Sequence, residues 1–353
     1  GASILSDVEA LSHCMLIWRS FTHWIGGMGV LVFILCLLPL TGGYHMNLMK
    51  AESPGPSVSK LVPKVQSTAK ILYTIYIILT IVEIIFLLIG KMPLFDTLCL
   101  SFGTAGTGGF GIKNDSIASY STYNQVVITV FMILFGINFN AYYLLLTKKV
   151  MQAAKNEEVR YYLGIIGLAI VAIAINTREM FTSFGRAFQQ AAFQVGSIIT
   201  TTGYATTDFN VWPVFSKTIL VILMFVGACA GSTGGGIKVS RLLILCKSAR
   251  KELQLYLHPN AVKKIKMDDK AIPHEVVRAT NMFLFVYIMI FVTSLLIISL
   301  DNLDMVSNFT AIAATLNNIG PGLGAVGPTG NFNTYSYISK AVMIFDMLAG
   351  RLE

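Results

Sequence analysis

The stretch IITTTGY, residues 198–204, follows a half-length apolar segment and precedes a long one, and it decides how the chain is interpreted. The segment before it is shorter than the roughly 20 residues that cross a bilayer, yet it is too apolar for an ordinary loop. A short helix that descends partway, followed by a Thr/Gly strand that returns to the same side, explains both properties. Gly203 can adopt backbone angles that other residues resist, while carbonyl and threonine oxygens are hard ligands suited to an alkali cation. The stretch therefore predicts a re-entrant pore loop and a cation pathway.

The composition places the chain in a membrane. Of its 353 residues, 54% are hydrophobic and only 12% are charged, whereas a soluble domain carries about 25% charged residues. Apolar runs that approach the length of a membrane span recur along the chain, which no single cleavable signal peptide would explain. These runs lie near residues 24–40, 70–90, 125–147, 161–176, 214–231 and 279–300. The predicted fold class is an all-α polytopic membrane protein.

The basic residues behind the net charge of +8 are concentrated in three loops, at residues 42–69, 148–160 and 238–278. Under the positive-inside rule these loops face the cytoplasm, so the surplus of positive charge does not require a nucleic acid partner. Between two of these cytoplasmic loops the chain must then cross the membrane an even number of times. Two full spans and one re-entrant loop per unit satisfy this condition.

The arrangement around Gly203 is repeated. LFDTLCLSFGTAGTGGFG at residues 94–111 and DMVSNFTAIAATLNNIGPGLG at residues 304–324 each follow one hydrophobic span and precede another. The glycines that match Gly203 are Gly109 and Gly320, and a further step back of similar length arrives at Gly1. We therefore predict four pseudo-repeated units of outer helix, pore loop and inner helix around one central pore. The sequence is expected to be a fragment that begins inside the first unit and ends partway along the last span.

The four predicted units occupy residues 1–69, 70–158, 159–278 and 279–353. In each unit the residues at and just before the matching glycine are the candidate cation ligands of a selectivity filter. They are Gly1, Thr107, Gly108, Gly109, Thr201, Thr202, Gly203, Asn318, Ile319 and Gly320. Glycine also recurs at a similar depth in the helix after each filter, where it would allow close packing or a break. These glycines are Gly26, Gly27, Gly29, Gly136, Gly227, Gly231 and Gly350.

The third unit carries the run GACAGSTGGGIK, residues 227–238, which is too rich in glycine for a stable helix. An unwound segment in mid-membrane must line a cavity, so residues 227–237 are predicted to form a gating loop below the filter. A cytoplasmic loop that ends the helix early is the alternative, because Lys238 follows closely. Arg351, deep in the last span, is predicted to hold the gating loop through its carbonyls, with a snorkelling arginine as the alternative. The candidate gate residues are Gly231, Ser232, Thr233, Gly234, Gly235, Gly236 and Arg351.

Three acidic residues, Asp7, Asp115 and Asp208, follow the first three filter glycines at a nearly constant offset. A ring of carboxylates at an outer vestibule would concentrate cations, and a capping role in a turn explains the same spacing, so both roles stay open. Two matches to G-x-G-x-x-G, which begin at Gly106 and Gly322, lack the βαβ context of a dinucleotide site. The scattered cysteines and histidines form no metal-ligand spacing, and no catalytic combination can be assembled, so an enzyme is not expected.

At several of these positions the chain resembles the Trk/Ktr/HKT superfamily of potassium transporters, most closely its bacterial TrkH branch. The similar segments are ITTTGYAT at 199–206, AESPGP at 51–56, GSTGGGIK at 231–238 and MLAGRLE at 347–353. The resemblance implies the four-unit fold, the filter glycines, an intramembrane loop and an arginine, Arg351, that faces it. It further implies potassium as substrate, no cofactor in this chain, a homodimer and a cytosolic nucleotide-binding regulatory subunit of the TrkA type. Pro321 departs from the family pattern, since the other filters have an aromatic or small residue there.

The main hypothesis is potassium uptake across the cell inner membrane, through a carbonyl-lined filter that the glycine-rich loop gates. The third unit has Gly-Tyr, whereas the others have Gly-Ala, Gly-Phe and Gly-Pro, so selectivity is expected to be looser than in a fourfold-symmetric channel. A potassium symporter coupled to sodium or protons is the second hypothesis. An inactive fragment of such a protein is the third.

Overall fold

The computed structural model describes residues 2–29, 65–258 and 264–352, and within its second helix it describes the side chains from Ala69 onward. Nearly all regular structure in this part of the chain is helical. The helices are α1 (His13–Gly27), α2 (Val65–Ile89), α3 (Leu94–Ala105), α4 (Thr122–Phe135), α5 (Phe139–Leu146), α6 (Val150–Ala154), α7 (Glu157–Asn176), α8 (Phe184–Ile199), α9 (Val214–Val226), α10 (Val239–Leu257), α11 (His274–Ile298), α12 (Met305–Leu316) and α13 (Tyr337–Leu352). The strands β1 (Lys266–Met267) and β2 (Lys270–Ala271) form an antiparallel hairpin within the basic loop 238–278, which the all-α prediction did not include.

Three helices among the described residues are long and apolar enough to cross a membrane on their own: α2 from Ala69, α7, and α11 with the turn that continues to Asp301. Large apolar side chains such as Ile81, Leu168 and Leu296 are exposed on their outer sides, where lipid tails would cover them. These helices match three of the predicted apolar runs. The run near 24–40 lies mostly outside the described residues.

Two predicted spans take a different form. The run 125–147 is not one helix, because α4 and α5 are bent by 90° at residues 136–138 and cross the apolar layer only as a broken pair. The run 214–231 is shorter than predicted, because α9 ends at Val226 and Gly227 turns the chain with φ of +72°. In both places a glycine lies at the end of the helix, where the sequence had allowed either close packing or a break.

Three shorter helices, α3, α8 and α12, are the predicted pore helices. Each follows an outer helix in the chain, packs against it, and precedes an inner helix. The order of outer, pore and inner helix is therefore α2–α3–α4, then α7–α8–α9, then α11–α12–α13. Helix α1 packs against α3 and holds the place of the first inner helix. The predicted fold class is confirmed in this arrangement.

The four units contact one another in a closed ring on the side where the pore helices begin. Each unit is joined to the next by a hydrogen bond between its filter-to-inner-helix connection and its neighbour's. The bonds run from Val8 N to Asn114 Oδ1 (2.8 Å), from Ile117 N to Ala205 O (3.1 Å), from Gly324 N to Asn210 Oδ1 (2.9 Å) and from Phe332 N to Ser3 O (3.0 Å). The last bond returns from the fourth unit to the first, so the units surround a common axis.

Several inner-helix glycines allow the inner helices to approach the ends of the pore helices. A Cβ on Gly27 would lie 2.6 Å from the Cα of Gly106, and one on Gly350 would overlap the carbonyl oxygen of Leu316. A Cβ on Gly136 would overlap the hydroxyl of Tyr162. Gly26 has no such neighbour within 4 Å, so the close approach is a property of particular glycines.

We predict that Gly136→Ala destabilises the protein by roughly 1–3 kcal/mol, because the added methyl group must displace the Tyr162 side chain. Gly164→Ala, in the middle of α7, is the matched control, since nothing lies within 4 Å of its Cβ position. Alanine favours a helix over glycine by up to about 1 kcal/mol, so this variant should be unchanged or slightly stabilised. Thermal unfolding in detergent measures both. An equal loss of thermal stability in the two variants would contradict the close packing at Gly136.

Candidate functional site

The three pore helices end in the same backbone conformation. Each is followed by one residue with φ between −77° and −91° and ψ near 0°, and then by a non-glycine residue with positive φ: Thr107 (+49°), Thr201 (+57°) or Asn318 (+57°). The next amide then donates to a carbonyl five residues back, from Gly108 to Gly103 at 2.8 Å, from Thr202 to Ser197 at 2.9 Å and from Ile319 to Ala314 at 2.8 Å. This is the hydrogen bond of a Schellman-type helix end. The three filter segments therefore share one geometry.

The matching glycines follow directly, with φ of +69° at Gly109, +86° at Gly203 and +119° at Gly320. Neighbouring segments also approach one another closely at these points. A Cβ on Gly109 would overlap the carbonyl oxygen of Thr202, and one on Gly203 would overlap the carbonyl oxygen of Ile319. Glycine is needed at these positions both for the backbone angle and for the space.

The three glycines open onto one cavity of about 260 Å³ on the outer side of the ring. Phe110 and Pro321, which directly follow their glycines, line it as well, and so does Ala205, two residues after Gly203. Among the predicted filter residues, Gly1 lies outside the described residues. Ser3, two positions later, borders the same cavity. The structure thus brings the predicted filter segments of the second, third and fourth units together.

Tyr204 fixes the third filter segment from behind. Its ring is fully buried, and its hydroxyl donates to the carbonyl of Leu100 in α3 at 3.1 Å. Its own carbonyl accepts from the Ser197 hydroxyl at 2.5 Å. The hydroxyls of Thr200 and Thr202 bond to each other at 2.8 Å. These side chains are therefore engaged within the protein, which leaves backbone carbonyls as the candidate cation ligands.

The predicted gating loop, residues 227–237, packs against the filter segments on the side opposite the outer cavity. The hydroxyl of Thr107 donates to the carbonyl of Thr233 at 2.9 Å, and the amide of Gly235 donates to the hydroxyl of Thr201 at 2.6 Å. A Cβ on Gly235 would lie 2.6 Å from the Asn317 carbonyl oxygen, so glycine is needed for this approach. Two of the three positive-φ filter residues therefore hold the loop directly.

The loop also bonds to the bend between α4 and α5. The amides of Cys229 and Thr233 donate to the carbonyls of Gly136 (3.0 Å) and Phe135 (3.4 Å), at the end of α4. The amide of Phe139, which begins α5, donates to the Gly231 carbonyl at 3.0 Å. The end of one helix and the start of the next are thus completed by the loop. This placement favours a loop inside the protein over a cytoplasmic one.

Two cationic side chains reach the loop. Arg351 donates to the carbonyl of Thr233 at 3.1 Å, and it also donates to the carbonyls of Gly26 (2.8 Å) and Gly27 (3.1 Å) at the end of α1. Lys238 is buried, and its ammonium group donates to the Gly234 carbonyl. The Arg351 contact agrees with the sequence-based expectation, whereas Lys238 was expected only as a sign of the cytoplasmic face. The sequence feature that could have indicated this contact is the position of Lys238 directly after the glycine run.

The three acidic residues of the predicted outer vestibule have roles in turns. Asp208 Oδ1 accepts from the amide of Asn210 at 2.9 Å, and Asp7 Oδ1 accepts from the amide of Glu9 at 3.0 Å. The side-chain amide of Asn114 also donates to Asp7, which lowers the pKa of this carboxyl below its usual value. Asp115 accepts from the Ser119 hydroxyl at 3.4 Å.

The outer cavity itself has a different lining. Within the described part of the chain, none of the three aspartates borders it, whereas Arg19 and Lys113 do. In the fourth unit Asn331 makes the same turn, since its Oδ1 accepts from the amide of Asn333 at 2.9 Å. In the fourth unit a neutral side-chain amide thus accepts the turn hydrogen bond that a carboxylate accepts in the third unit. This geometry favours capping over a carboxylate ring.

Comparison with known proteins agrees with this geometry. The sequence profile of the TrkH family, described as cation transport protein, matches residues 1–353. The chain is 36% identical over 358 residues to the Trk system potassium uptake protein TrkH of Salmonella typhimurium, and 38% identical over 361 residues to that of Vibrio parahaemolyticus. Both alignments cover the whole chain and 74% of the relative. The crystal structure of the potassium transporter TrkH from Vibrio parahaemolyticus superimposes with a TM-score of 0.84 at 34% identity, covering all of this chain and 73% of that one.

We predict that Asp208→Asn leaves cation flux unchanged at every ionic strength, because asparagine caps the same turn, as Asn331 does. Asp208→Ala should cost about 1 kcal/mol of stability through the lost cap. Flux into liposomes at low salt and near 1 M salt, where the screening length falls to about 3 Å, separates the roles. A loss of cation flux in Asp208→Asn that appears only at low salt would instead support the predicted ring of carboxylates at the outer vestibule.

Proposed function

This chain belongs to the TrkH family of cation transport proteins, and we propose that it carries potassium into the cell through a pore along the axis of its four units. The observation that carries the proposal is the convergence of three identical pore-helix ends, each with a positive-φ glycine, on one outer cavity. Relatives that carry the name Trk system potassium uptake protein match over the whole chain, which supports potassium as the cation.

The proposed cation ligands are the backbone carbonyls of the filter segments. The hydroxyls of Thr107, Thr201 and Thr202 already bond to the loop or to Thr200, so we assign the cation to the backbone carbonyls. Several carbonyl oxygens can replace the water shell of potassium, which is held less tightly than that of sodium. Carbonyls of the residues at 107–109, 201–203 and 318–320 would supply these oxygens, together with the first unit's Gly1.

The proposed gate is the loop 227–237 with Arg351 and Lys238. Both side chains bring positive charge to loop carbonyls just beyond the filter, and Lys238 does so in a buried position. A cation that leaves the filter would meet like charge in a medium where solvent screens it poorly. The loop, packed against Thr107 and Thr201, would also block the path sterically.

The protein is a multi-pass membrane protein, and we propose the cell inner membrane as its location. A cytosolic nucleotide-binding subunit of the TrkA type and a homodimer are proposed partners, on the strength of the family. The basic helix α10, which begins directly after the loop and exposes Tyr256 and Leu257, is the proposed contact for the regulatory subunit. The relatives named above are transporters, and we propose no enzymatic role and no cofactor, with potassium as the substrate.

Potassium uptake by the full-length protein in a strain that lacks other uptake systems tests the proposal. Growth at low external potassium is the expected result, and no growth by a correctly inserted protein would contradict it. In liposomes, flux that follows the potassium gradient alone identifies a channel. A dependence on a sodium or proton gradient would instead favour the coupled symporter.

We predict that Gly203→Ser weakens discrimination between potassium and sodium, because a Cβ would overlap the Ile319 carbonyl oxygen and disturb a proposed ligand. The ratio of potassium to sodium flux in liposomes measures the effect. Gly185→Ala, at the other end of the same pore helix, is the control, because the nearest atom to its Cβ is the Ser183 hydroxyl at 4.0 Å. An unchanged ratio in folded Gly203→Ser protein would remove Gly203 from the filter.

We predict that Arg351→Ala raises basal potassium flux while it leaves the ion preference largely intact, since it removes hydrogen-bond donors to the loop and to α1. Deletion of Gly234 and Gly235 should act in the same direction. Arg351→Lys retains the charge but not the forked geometry of the guanidinium group. Its basal flux should therefore lie between those of the wild type and Arg351→Ala. Wild-type flux in all three variants, correctly assembled, would show that the loop is not the barrier.

A further inference from the structure

Glu158 is a buried acid that the sequence-based analysis did not single out. It is the second residue of α7, in the position where an ordinary helix start carries an exposed acid. Its side chain is instead only 2% exposed. Its carboxyl group touches three segments that are distant in sequence: the gating loop, the start of α10 and the bend between α4 and α5.

The contacts of Glu158 are specific. Oε1 accepts from the amide of Ala230 at 2.6 Å and from the amide of Ser240 at 3.2 Å. Oε2 accepts from the side-chain amide of Asn138 at 3.3 Å. Ala230 lies near the start of the gating loop, and Ser240 lies just after its end. One carboxyl group therefore ties both ends of the loop to α7.

Both backbone amides need this acceptor. Helix α10 begins after Lys238, which offers no side-chain cap, so the Ser240 amide is one of the helix-start donors without an intrahelical partner. Ala230 lies in the irregular segment, where no helix supplies a carbonyl. The amide of Val239 closes the base of the loop by donating to the Ala228 carbonyl at 3.1 Å. Glu158 connects that closed base to the rest of the protein.

The start of α7 is itself held in place by the hairpin. Asp268 Oδ1 accepts from the amide of Glu157 at 2.7 Å, and Asp268 Oδ2 accepts from the side-chain amide of Asn156 at 3.2 Å. Lys247 of α10 pairs with Glu157 and donates to the Lys266 carbonyl at 2.7 Å. A shift of α10 relative to α7 would therefore strain the Glu158 contacts as well.

We propose that Glu158 is the positioning residue that latches the gating loop in its closed position. Movement of α10 away from α7 would open the pore by separating the amides of Ser240 and Ala230 from this carboxyl group. The inference rests on the proposed function for its consequence on flux. Its structural part, that Glu158 holds the loop, can be measured without transport.

Cys229 supplies that measurement, because it lies inside the loop and is fully buried. We would compare its rate of alkylation by a small maleimide in wild-type protein, Glu158→Ala and Glu158→Gln, reading each cysteine by peptide mass spectrometry. Cys99, equally buried in α3, reports general unfolding in the same sample. Glu179→Gln is the matched control, since it neutralises an exposed acid just beyond the other end of α7. Potassium flux of the same proteins in liposomes is the second readout.

We expect Glu158→Ala to raise the Cys229 alkylation rate about tenfold, because two buried amides lose their acceptor. Glu158→Gln, which keeps one acceptor oxygen, should give a smaller increase. Cys99 in every protein, and Cys229 in the Glu179→Gln protein, should react at the wild-type rate. Flux should rise in the same order with an unchanged ratio of potassium to sodium.

An unchanged Cys229 rate in both Glu158 variants would overturn the latch, whatever the flux. If Glu158→Ala also raises the alkylation rate of Cys99, the protein has unfolded generally. The Glu158→Gln variant then tests the latch, because glutamine fills the same space as the glutamate side chain. An equal effect of Glu179→Gln would also overturn the proposal by showing that any loss of negative charge near α7 loosens the loop. A faster Cys229 reaction with no potassium flux in any protein would uphold the latch and refute the proposed pore.

Discussion

Every irregular backbone segment at membrane depth must find hydrogen-bond partners inside the protein, because lipid offers none. Two such segments meet here: the loop 227–237 and the bend at residues 136–138. They satisfy each other, since loop amides bond to Phe135 and Gly136 while the first amide of α5 bonds to the loop. Neither break in the helices would be stable alone. The interruption of one inner helix thus depends on the bend in another, and that dependence places the loop next to the filter.

The filter and the loop are consequently parts of one hydrogen-bonded unit. Thr107 and Thr201 hold a left-handed conformation that costs a non-glycine residue about 1–2 kcal/mol. Their hydroxyls bond to Thr233 and Gly235 of the loop, which helps to offset this cost. Movement of the loop would break these two hydrogen bonds, so the filter residues help to hold the loop in its closed position. Charge reinforces the arrangement, because Lys238 and Arg351 donate to carbonyls at the same place.

The parts of the structure that sequence predicts best are those with a local pattern. Gly109, Gly203 and Gly320 each follow a half-length apolar helix, so their repetition predicted the pore helices and the meeting of the filters. The 90° bend was not predicted, because Gly136 is equally compatible with close packing in a straight helix. Glu158 was missed because its contacts are with residues 72 and 82 positions later, and at the start of a helix an acid is expected in any case. The hairpin at 266–271 is too short to show a strand pattern.

The central claim is that the filter carbonyls form a cation site on the axis of the ring, directly above a loop that closes the path. Anomalous X-ray diffraction from crystals grown in rubidium tests it most directly, since rubidium replaces potassium and its position can be located independently of the protein. The account predicts an anomalous peak surrounded by the carbonyls at residues 107–109, 201–203 and 318–320, and no peak at the level of Gly234. A peak beside Asp7, Asp115 or Asp208 with none between the filter segments would contradict it.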